Sequence, residues 1–239
     1  MTEMYQYNMK SYEIIAENFA TFFREYGNDS YKMLKNFFEA ERNKFSKERI
    51  AELVKTGISN EEAVIKARQG WVSTIGRSLE IIIEKLIKNF CEKNNLKLTN
   101  DKVLKSKNLP KELDLVKRAI LVHFGKNSVL PDGDIIIYKY RNEIPKVLAI
   151  LSVKNSFRER YTETPYWKLK LAESEVTKNI CVFMITPDSD DEISRKDATK
   201  SRIVLEYELD GVYMAKDDFD ESEKVKGIEY LISDLEKLL

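Results

Sequence analysis

The stretch that most constrains this chain covers residues 130–171, LPDGDIIIYKYRNEIPKVLAILSVKNSFRERYTETPYWKLKL. It holds two apolar runs rich in β-branched residues, 135–138 and 147–153, joined by a polar segment containing Asn142 and Pro145. Runs of this kind, bounded by turn formers, pair as the adjacent strands of a hairpin. Antiparallel pairing sets the start of the first strand beside the end of the second. Asp132 and Asp134 stand at that start, and Lys154 stands at that end. Taken singly, the aspartates read as a solvated turn and the lysine as a polar strand end. Together at one hairpin edge they form a candidate chemical site.

The flanking sequence supplies a frame for the hairpin. Residues 5–56 read as helices, with Ile14, Ile15, Phe19, Phe22 and Phe23 and then Met33, Leu34, Phe37 and Phe38 at helical spacing. An aromatic stripe of this kind is core packing. Residues 27–30 are a turn in which Asp29 or Ser30 is the expected N-cap. Gly57 suits a helix C′ position, and Ser59 with Glu62 has capping-box spacing. The helix they open should reach about Phe90, with a break or a close contact near Gly70 and Gly76. Within it Glu80 falls among Leu79, Ile81, Ile82 and Ile83, so its carboxylate must lie at a solvent boundary or be held by a cation.

Residues 95–118 are lysine-rich and read as a loop with a short helix, and 119–124 as a short strand. After Lys154, residues 164–176 look helical with Pro165 in the first turn. Residues 180–185 are nearly all apolar and read as a buried strand. Residues 203–209 and 212–215, hinged at Asp210-Gly211, give a further hairpin signal, and 221–239 an amphipathic helix. The expected fold is mixed α/β, a central sheet flanked by helices. Residues 1–70 would form a helical subdomain and 71–239 the core.

Composition excludes several function classes. The 40 basic side chains are matched by 40 acidic ones, so the chain lacks the excess positive charge of a generally adhesive nucleic-acid binder. A local basic cleft is compatible with that balance. His123 is the only histidine, which removes zinc sites built on several histidines, and it reads as structural. No apolar run approaches the roughly 20 residues that span a bilayer, and the first residues lack the apolar core of a signal peptide. Cys91 and Cys181 lack metal-ligand spacing, so reduced thiols in a cytoplasmic protein are expected.

The sequence Pro131-Asp132-Gly133-Asp134, an apolar strand, a turn, and a second strand ending in Ser152-Val153-Lys154 resembles the PD-(D/E)XK nuclease signature. The continuation Asn155-Ser156-Phe157-Arg158-Glu159-Arg160, followed by Tyr166-Trp167-Lys168, is similar to type II restriction endonucleases, with a likeness to the BsaWI-type branch. The resemblance implies a restriction-endonuclease-like sheet and a Mg²⁺-dependent, sequence-specific enzyme that hydrolyses double-stranded DNA. It also implies a homodimer and a cognate DNA methyltransferase encoded nearby. The alternatives are a repair or junction-resolving nuclease of the same fold, and a non-catalytic DNA-binding or assembly protein on a decayed one.

One departure from the signature matters. Ser152 occupies the position of the acid two before the lysine. By the resemblance, the missing carboxylate would come from Glu80, Glu163 or Glu159. Asp134, Glu80 and the Val153 carbonyl are the expected metal ligands, with Asp132 as the alternative aspartate. Hard Mg²⁺ takes oxygen donors of this type. Lys154 would orient or help deprotonate the attacking water. Arg158, Arg160, Asn155, Ser156 and Lys168 are the expected DNA contacts, arginine being suited to phosphate and to guanine edges. Tyr166 and Trp167 read as core. The first seventy residues would serve dimerisation, DNA wrapping or both.

Overall fold

The computed structural model describes residues 9–157, 161–197 and 199–239. Three helices come first: α1 (Ser11–Tyr26), α2 (Leu34–Lys55) and α3 (Asn60–Lys93). A 3₁₀ turn, Gly27–Tyr31, links the first two. Neither Asp29 nor Ser30 caps α2, whose N-cap is Met33. Ser30 Oγ instead donates back to the Gly27 carbonyl at 2.6 Å. Gly57, with φ of 90°, follows the Thr56 C-cap as expected. Ser59 Oγ accepts the Glu62 N–H at 3.2 Å and starts α3.

At 34 residues α3 spans about 51 Å at 1.5 Å per residue. It runs unbroken through Gly70 and Gly76. A Cβ at position 70 would sit 3.5 Å from the Phe45 ring, so close packing against α2 rather than a kink accounts for that glycine. The helix also passes through residue 70, where the sequence suggested a subdomain boundary.

The remainder builds a six-stranded sheet. In chain order come β1 (Lys97–Thr99), α4 (Asp101–Leu104), α5 (Lys111–Ala119), and the separate hairpin β2 (Val122–Phe124) with β3 (Asn127–Val129). Next are β4 (Ile135–Arg141), β5 (Ile144–Val153), α6 (Glu163–Ala172), β6 (Cys181–Thr186), α7 (Lys200–Glu208) and β7 (Gly211–Met214). Last come β8 (Val225–Gly227), a 3₁₀ turn over Ile228–Tyr230, and α8 (Leu231–Glu236). The strand order is β1-β4-β5-β6-β7-β8. β1, β4 and β5 pair antiparallel, whereas β5 through β8 run parallel.

The central hairpin forms as its sequence predicts. Asn142 and Glu143 both take positive φ, 50° and 64°, the two-residue turn whose twist matches the flanking strands. Pro145 is not in the turn but within β5, opposite Tyr140. The register shifts after Ile137, which faces Ala149 while Tyr138 faces Val147, so Leu148 is an inserted bulge residue. One face of the sheet, with Ile135, Ile137, Leu148, Leu151 and Ile185, shares one apolar cluster with α3, α8 and the α1 and α2 helices that pack on α3. The other, with Ile136, Ile150, Val182, Met184 and Val212, packs beneath α5, α6 and α7.

Three other assignments change. Residues 203–208 are helical, not a strand, because Thr199 Oγ1 caps Arg202 N–H at 3.1 Å and the buried Leu205 and Leu209 lie one turn apart. Asp210-Gly211 therefore leads from a helix into the parallel strand β7. The segment 221–239 is split, since 225–227 completes the sheet before the six-residue α8. The 164–176 helix starts at Glu163 and stops at Ala172. His123 forms a pair with Ser128 at 2.8 Å within the β2–β3 hairpin.

Candidate active site

The site lies at the end of the sheet where β4 begins and β5 ends. Asp134 immediately precedes β4, and its backbone N–H donates to the Leu151 carbonyl at 3.1 Å. Its Oδ2 accepts the Val153 N–H at 2.7 Å. The carboxylate thus replaces the last rung of the ladder and is fixed beside the end of β5. Lys154, the next residue along, donates its backbone N–H to the Ile185 carbonyl at 3.0 Å, extending the register with β6. Its Nζ lies 3.5 Å from Asp134 Oδ2 and 3.9 Å from Glu163 Oε2. The ammonium stands between two carboxylates.

Glu163 is the first residue of α6, and its neighbour Thr164 ties that helix to the strand. Thr164 Oγ1 donates to Ser152 Oγ at 2.9 Å in a buried contact. Ser152 and Lys154 share one face of β5 by the two-residue period of a strand. The position that carries an acid in the resembling signature here anchors the helix that brings one.

Glu80 approaches from the middle of α3. Its Oε2 accepts from Lys102 Nζ, on α4, at 2.5 Å. Burial holds the Glu80 carboxyl above the usual carboxylate range; Lys102 opposes this and the negative charge of Asp134 adds to it. Both sequence expectations for Glu80 are met, since it sits at a half-buried boundary and a cation holds it.

Asp132 faces a different partner. Its Oδ1 accepts from Lys105 Nζ at 3.0 Å, and Lys105 also binds Asp101 Oδ2 at 2.6 Å. Gly133 separates the two aspartates with its backbone packed so tightly that a Cβ would come within 2.8 Å of Ile150 Cγ2. Asp134, rather than Asp132, is the aspartate beside Lys154.

Lys168 is not brought to this end. It forms an ion pair with Asp210 at 2.6 Å and donates to the Ile180 carbonyl at 3.2 Å, at the start of β6 and the far end of the sheet. The long stem reaches back to fasten α6 to the strand rather than out to a ligand. Asn155 Oδ1 accepts from Ser189 Oγ at 3.1 Å, and Ser156 is half-buried beside it. Arg158, Glu159 and Arg160 lie outside the described residues. Trp167 packs against the core as expected, while Tyr166 is exposed.

Sequence reasoning missed Lys102, Lys105 and Asp101. They belong to the lysine-rich segment read as solvated, yet they partner Glu80 and Asp132. The available signal was Asn100, whose Oδ1 caps Val103 N–H at 2.8 Å and starts the one-turn α4 that aims them.

Among the described residues no three His, Cys, Asp or Glu side chains gather closely enough to form a metal cluster. The candidate donors here are nonetheless all hard oxygens, with Asp134 and Glu163 within 4 Å of one lysine and Glu80 near enough to sense the charge of both Asp134 and Lys154. That set suits a divalent cation of the Mg²⁺ type and not a soft one. Cys91 is buried and its thiol is pushed up to about 11, and burial raises Cys181 as well, which keeps both protonated and away from this chemistry.

Comparison with known proteins identifies the family. The family model for BsaWI restriction endonuclease type 2 matches residues 112–234, just over half of the 239. HpyAORF263P of Helicobacter pylori, described as a probable type II restriction enzyme, is 57% identical over 188 residues, covering 79% of this chain and 96% of its own. MjaVIP of Methanocaldococcus jannaschii, described in similar terms, is 48% identical over 206 residues, covering 84% and 91%. Among solved structures, restriction endonuclease PspGI in complex with its substrate DNA superposes with a TM-score of 0.62 at 16% identity, over 97% of this chain and 94% of that one, which fixes the fold. Neither the repair-nuclease nor the non-catalytic alternative finds support among these relatives. With a family model spanning β4 to β8 and two relatives matched over most of their length, the chain belongs to the BsaWI family of type II restriction endonucleases, enzymes that cut at specific sequences.

Proposed function

We propose that this endonuclease hydrolyses phosphodiester bonds of double-stranded DNA with Mg²⁺, through Lys154, Asp134, Glu163 and Glu80. Membership of the family makes a divalent metal ion the expected cofactor. Mg²⁺ in particular is our choice, because the donors are carboxylates and a carbonyl. The observation that carries the reading is the Lys154 ammonium held within 4 Å of both Asp134 and Glu163 at the open end of a parallel strand. Asp134, Glu163 and the Val153 carbonyl would hold the ion, and Glu80 would support it from behind. When bound, the ion would offset charge at the scissile phosphate and acidify the attacking water.

The chain's own residues account for the rest. Asp134 is immobilised by the Val153 N–H, so it presents its carboxylate without losing further side-chain freedom. Lys154 orients the water and counters the phosphate. Asn155, Ser156, Arg158 and Arg160 follow directly and would contact the duplex. Double-stranded DNA is the proposed substrate partly because PspGI was solved with its own substrate DNA. Cutting both strands of a symmetric site calls for two sites related by a two-fold axis, so we propose a homodimer in which the first seventy residues contribute to dimerisation or to wrapping the duplex. A cytoplasmic enzyme with a cognate methyltransferase encoded nearby completes this reading. No helix among the described residues is long and apolar enough to cross a membrane.

The test is digestion of unmethylated phage DNA by the purified protein with Mg²⁺ or with EDTA. Discrete fragments only with Mg²⁺ are expected, and mapping their ends defines the site. Fragments that form equally in EDTA would exclude the metal; a smear would exclude a single recognition sequence.

Glu80 allows a second prediction. Burial raises its pKa, so the fold favours the neutral carboxyl. The stability linked to it is complete below the unfolded-state pKa and is lost as pH rises through the folded one. Metal-free Glu80→Gln should therefore melt above the parent near pH 8, with the gap closing toward pH ~4. The variant should gain less from added Mg²⁺ and cut DNA roughly 10- to 100-fold more slowly. Thermal unfolding at both pH values, with and without Mg²⁺, reads this directly. A variant less stable than the parent near pH 8 would mean that the Lys102 contact outweighs burial.

A further inference from the structure

The loop after β6 holds a buried polar network that the proposed chemistry does not use. Asp188 has no exposed surface. Its carboxylate accepts the N–H groups of Glu192 and Ile193 at 3.0 and 3.1 Å and the Ser194 hydroxyl at 2.6 Å. Its own N–H donates to Thr186 Oγ1 at 2.8 Å. Lys216, just beyond β7 and also buried, donates to Ser194 Oγ at 2.9 Å and to Asp191. Asp191 in turn accepts from Lys35 of α2 at 3.0 Å, and Met33 bridges to Lys216. Two lysines thus pin the loop, one from beneath the sheet edge and one from the N-terminal helices.

The other side of this loop grips the chain immediately after Lys154. Ser189 N–H donates to the Asn155 carbonyl at 3.0 Å, and Ser189 Oγ donates to Asn155 Oδ1 at 3.1 Å. Phe157 N–H donates to Asp190 Oδ2 at 3.2 Å. Beyond the Lys154–Ile185 rung, these bonds set the backbone path of 155–157. A hydrogen-bonded polar network built around the buried Asp188 and Lys216 contributes specificity of conformation more than stability.

We propose that Lys216 and Asp191 are positioning residues for sequence discrimination, acting through the 187–194 loop on the 155–157 segment. This rests on the reading that 155–160 contacts DNA. Through Lys35 the same network links that segment to α2, so the placement of the N-terminal helices and of the segment are coupled. Burial raises the Asp188 carboxyl, whereas hydrogen bonds from Lys216 and Lys35 lower Asp191.

The test compares the parent with Lys216→Met and Asp191→Asn. Asparagine is chosen because residue 191 has φ of 55°, which asparagine tolerates. Asp191 is largely exposed, so its variant should fold even if Lys216→Met does not. Once the site is mapped with the parent, kcat/KM is measured on the cognate duplex and on duplexes with one base pair changed. The cognate-to-near-cognate ratio is expected to fall about tenfold or more, because displacements of about 1 Å can cost as much as 10² in rate. A loss of folded enzyme lowers both rates together and leaves the ratio unchanged. Hydrogen exchange of the 154–157 backbone, which requires no DNA, should accelerate in both variants. An unchanged ratio with unchanged exchange overturns the proposal. Faster exchange with an unchanged ratio removes the specificity role. Failure of the parent to cut at any defined site would instead strike the function proposed above, while the exchange readout would still decide whether the loop holds the segment.

Discussion

Lys154→Ala protein is expected to bind duplex DNA carrying its site and to cut it about 10²- to 10⁴-fold more slowly than the parent, the range for loss of a positioned proton-transfer group. The ammonium lies 3.5 Å from Asp134 and 3.9 Å from Glu163, so among the described residues it is the cation within 4 Å of both carboxylates. Without it the two acids repel each other, the phosphate meets uncompensated negative charge, and no group at this position orients the water. The fold should survive, because Asp134 keeps its bond from the Val153 N–H and the Lys154 backbone keeps its bond to Ile185. Lys154→Arg sharpens the test. Its charge is retained, but the planar fork is a poor substitute for a compact ammonium between two carboxylates, so binding should be near that of the parent while cleavage stays low. Single-turnover cleavage of a labelled duplex, with binding measured by gel shift and folding by thermal melting, separates these effects. Cleavage within tenfold of the parent in Lys154→Ala would sink the assignment.

The pairing behind that prediction was legible in the sequence because strand geometry makes it local. Once 135–138 and 147–153 pair as a hairpin, the residue before one and the residue after the other must meet. Asn142 supplied the turn and the buried face supplied the register. Segment 203–209 was not legible in the same way, since Ile-Val-Leu-Glu-Tyr-Glu-Leu suits both a two-residue period and an i, i+4 pair. The Thr199 cap and the burial of Leu205 and Leu209 decide for the helix, leaving Ile203 and Tyr207 exposed. β1 and β8 were missed because three-residue strands carry too few side chains for any period. At the site, Glu80 and Glu163 were readable only as members of a set of acids. Their selection depends on how α3 and α6 pack on the sheet, and the partners Lys102 and Lys105 depend on the one-turn α4. Lys168 went astray for the opposite reason. α6 begins at the site with Glu163 and Thr164, yet it carries Lys168 on to Asp210 and the start of β6.

Glu163→Gln is expected to lower kcat by about 10²–10³, the loss typical of removing one group that stabilises developing charge, and to raise the Mg²⁺ concentration at half-maximal rate. The reason lies in Ser152. A serine cannot supply the hard anionic ligand that an acid at that position would, and its hydroxyl is already engaged by Thr164 at 2.9 Å. That same bond holds the first turn of α6 against β5, which leaves Glu163 within 4 Å of Lys154. On the proposed reading the carboxylate has changed its element but not its neighbour. Glutamine preserves the shape, so the Ser152–Thr164 contact and the helix start should persist and the thermal midpoint should change little. Glu80→Gln is the internal comparison. Glu80 is bound to Lys102 and senses Asp134 and Lys154 only through their charge, so its loss should be smaller, roughly 10- to 100-fold. Titrating Mg²⁺ against cleavage rate for the parent and both variants ranks the two acids. A larger shift of the metal midpoint in Glu80→Gln than in Glu163→Gln would move the missing acid from α6 to α3, and would make the Ser152–Thr164 bond a packing contact alone.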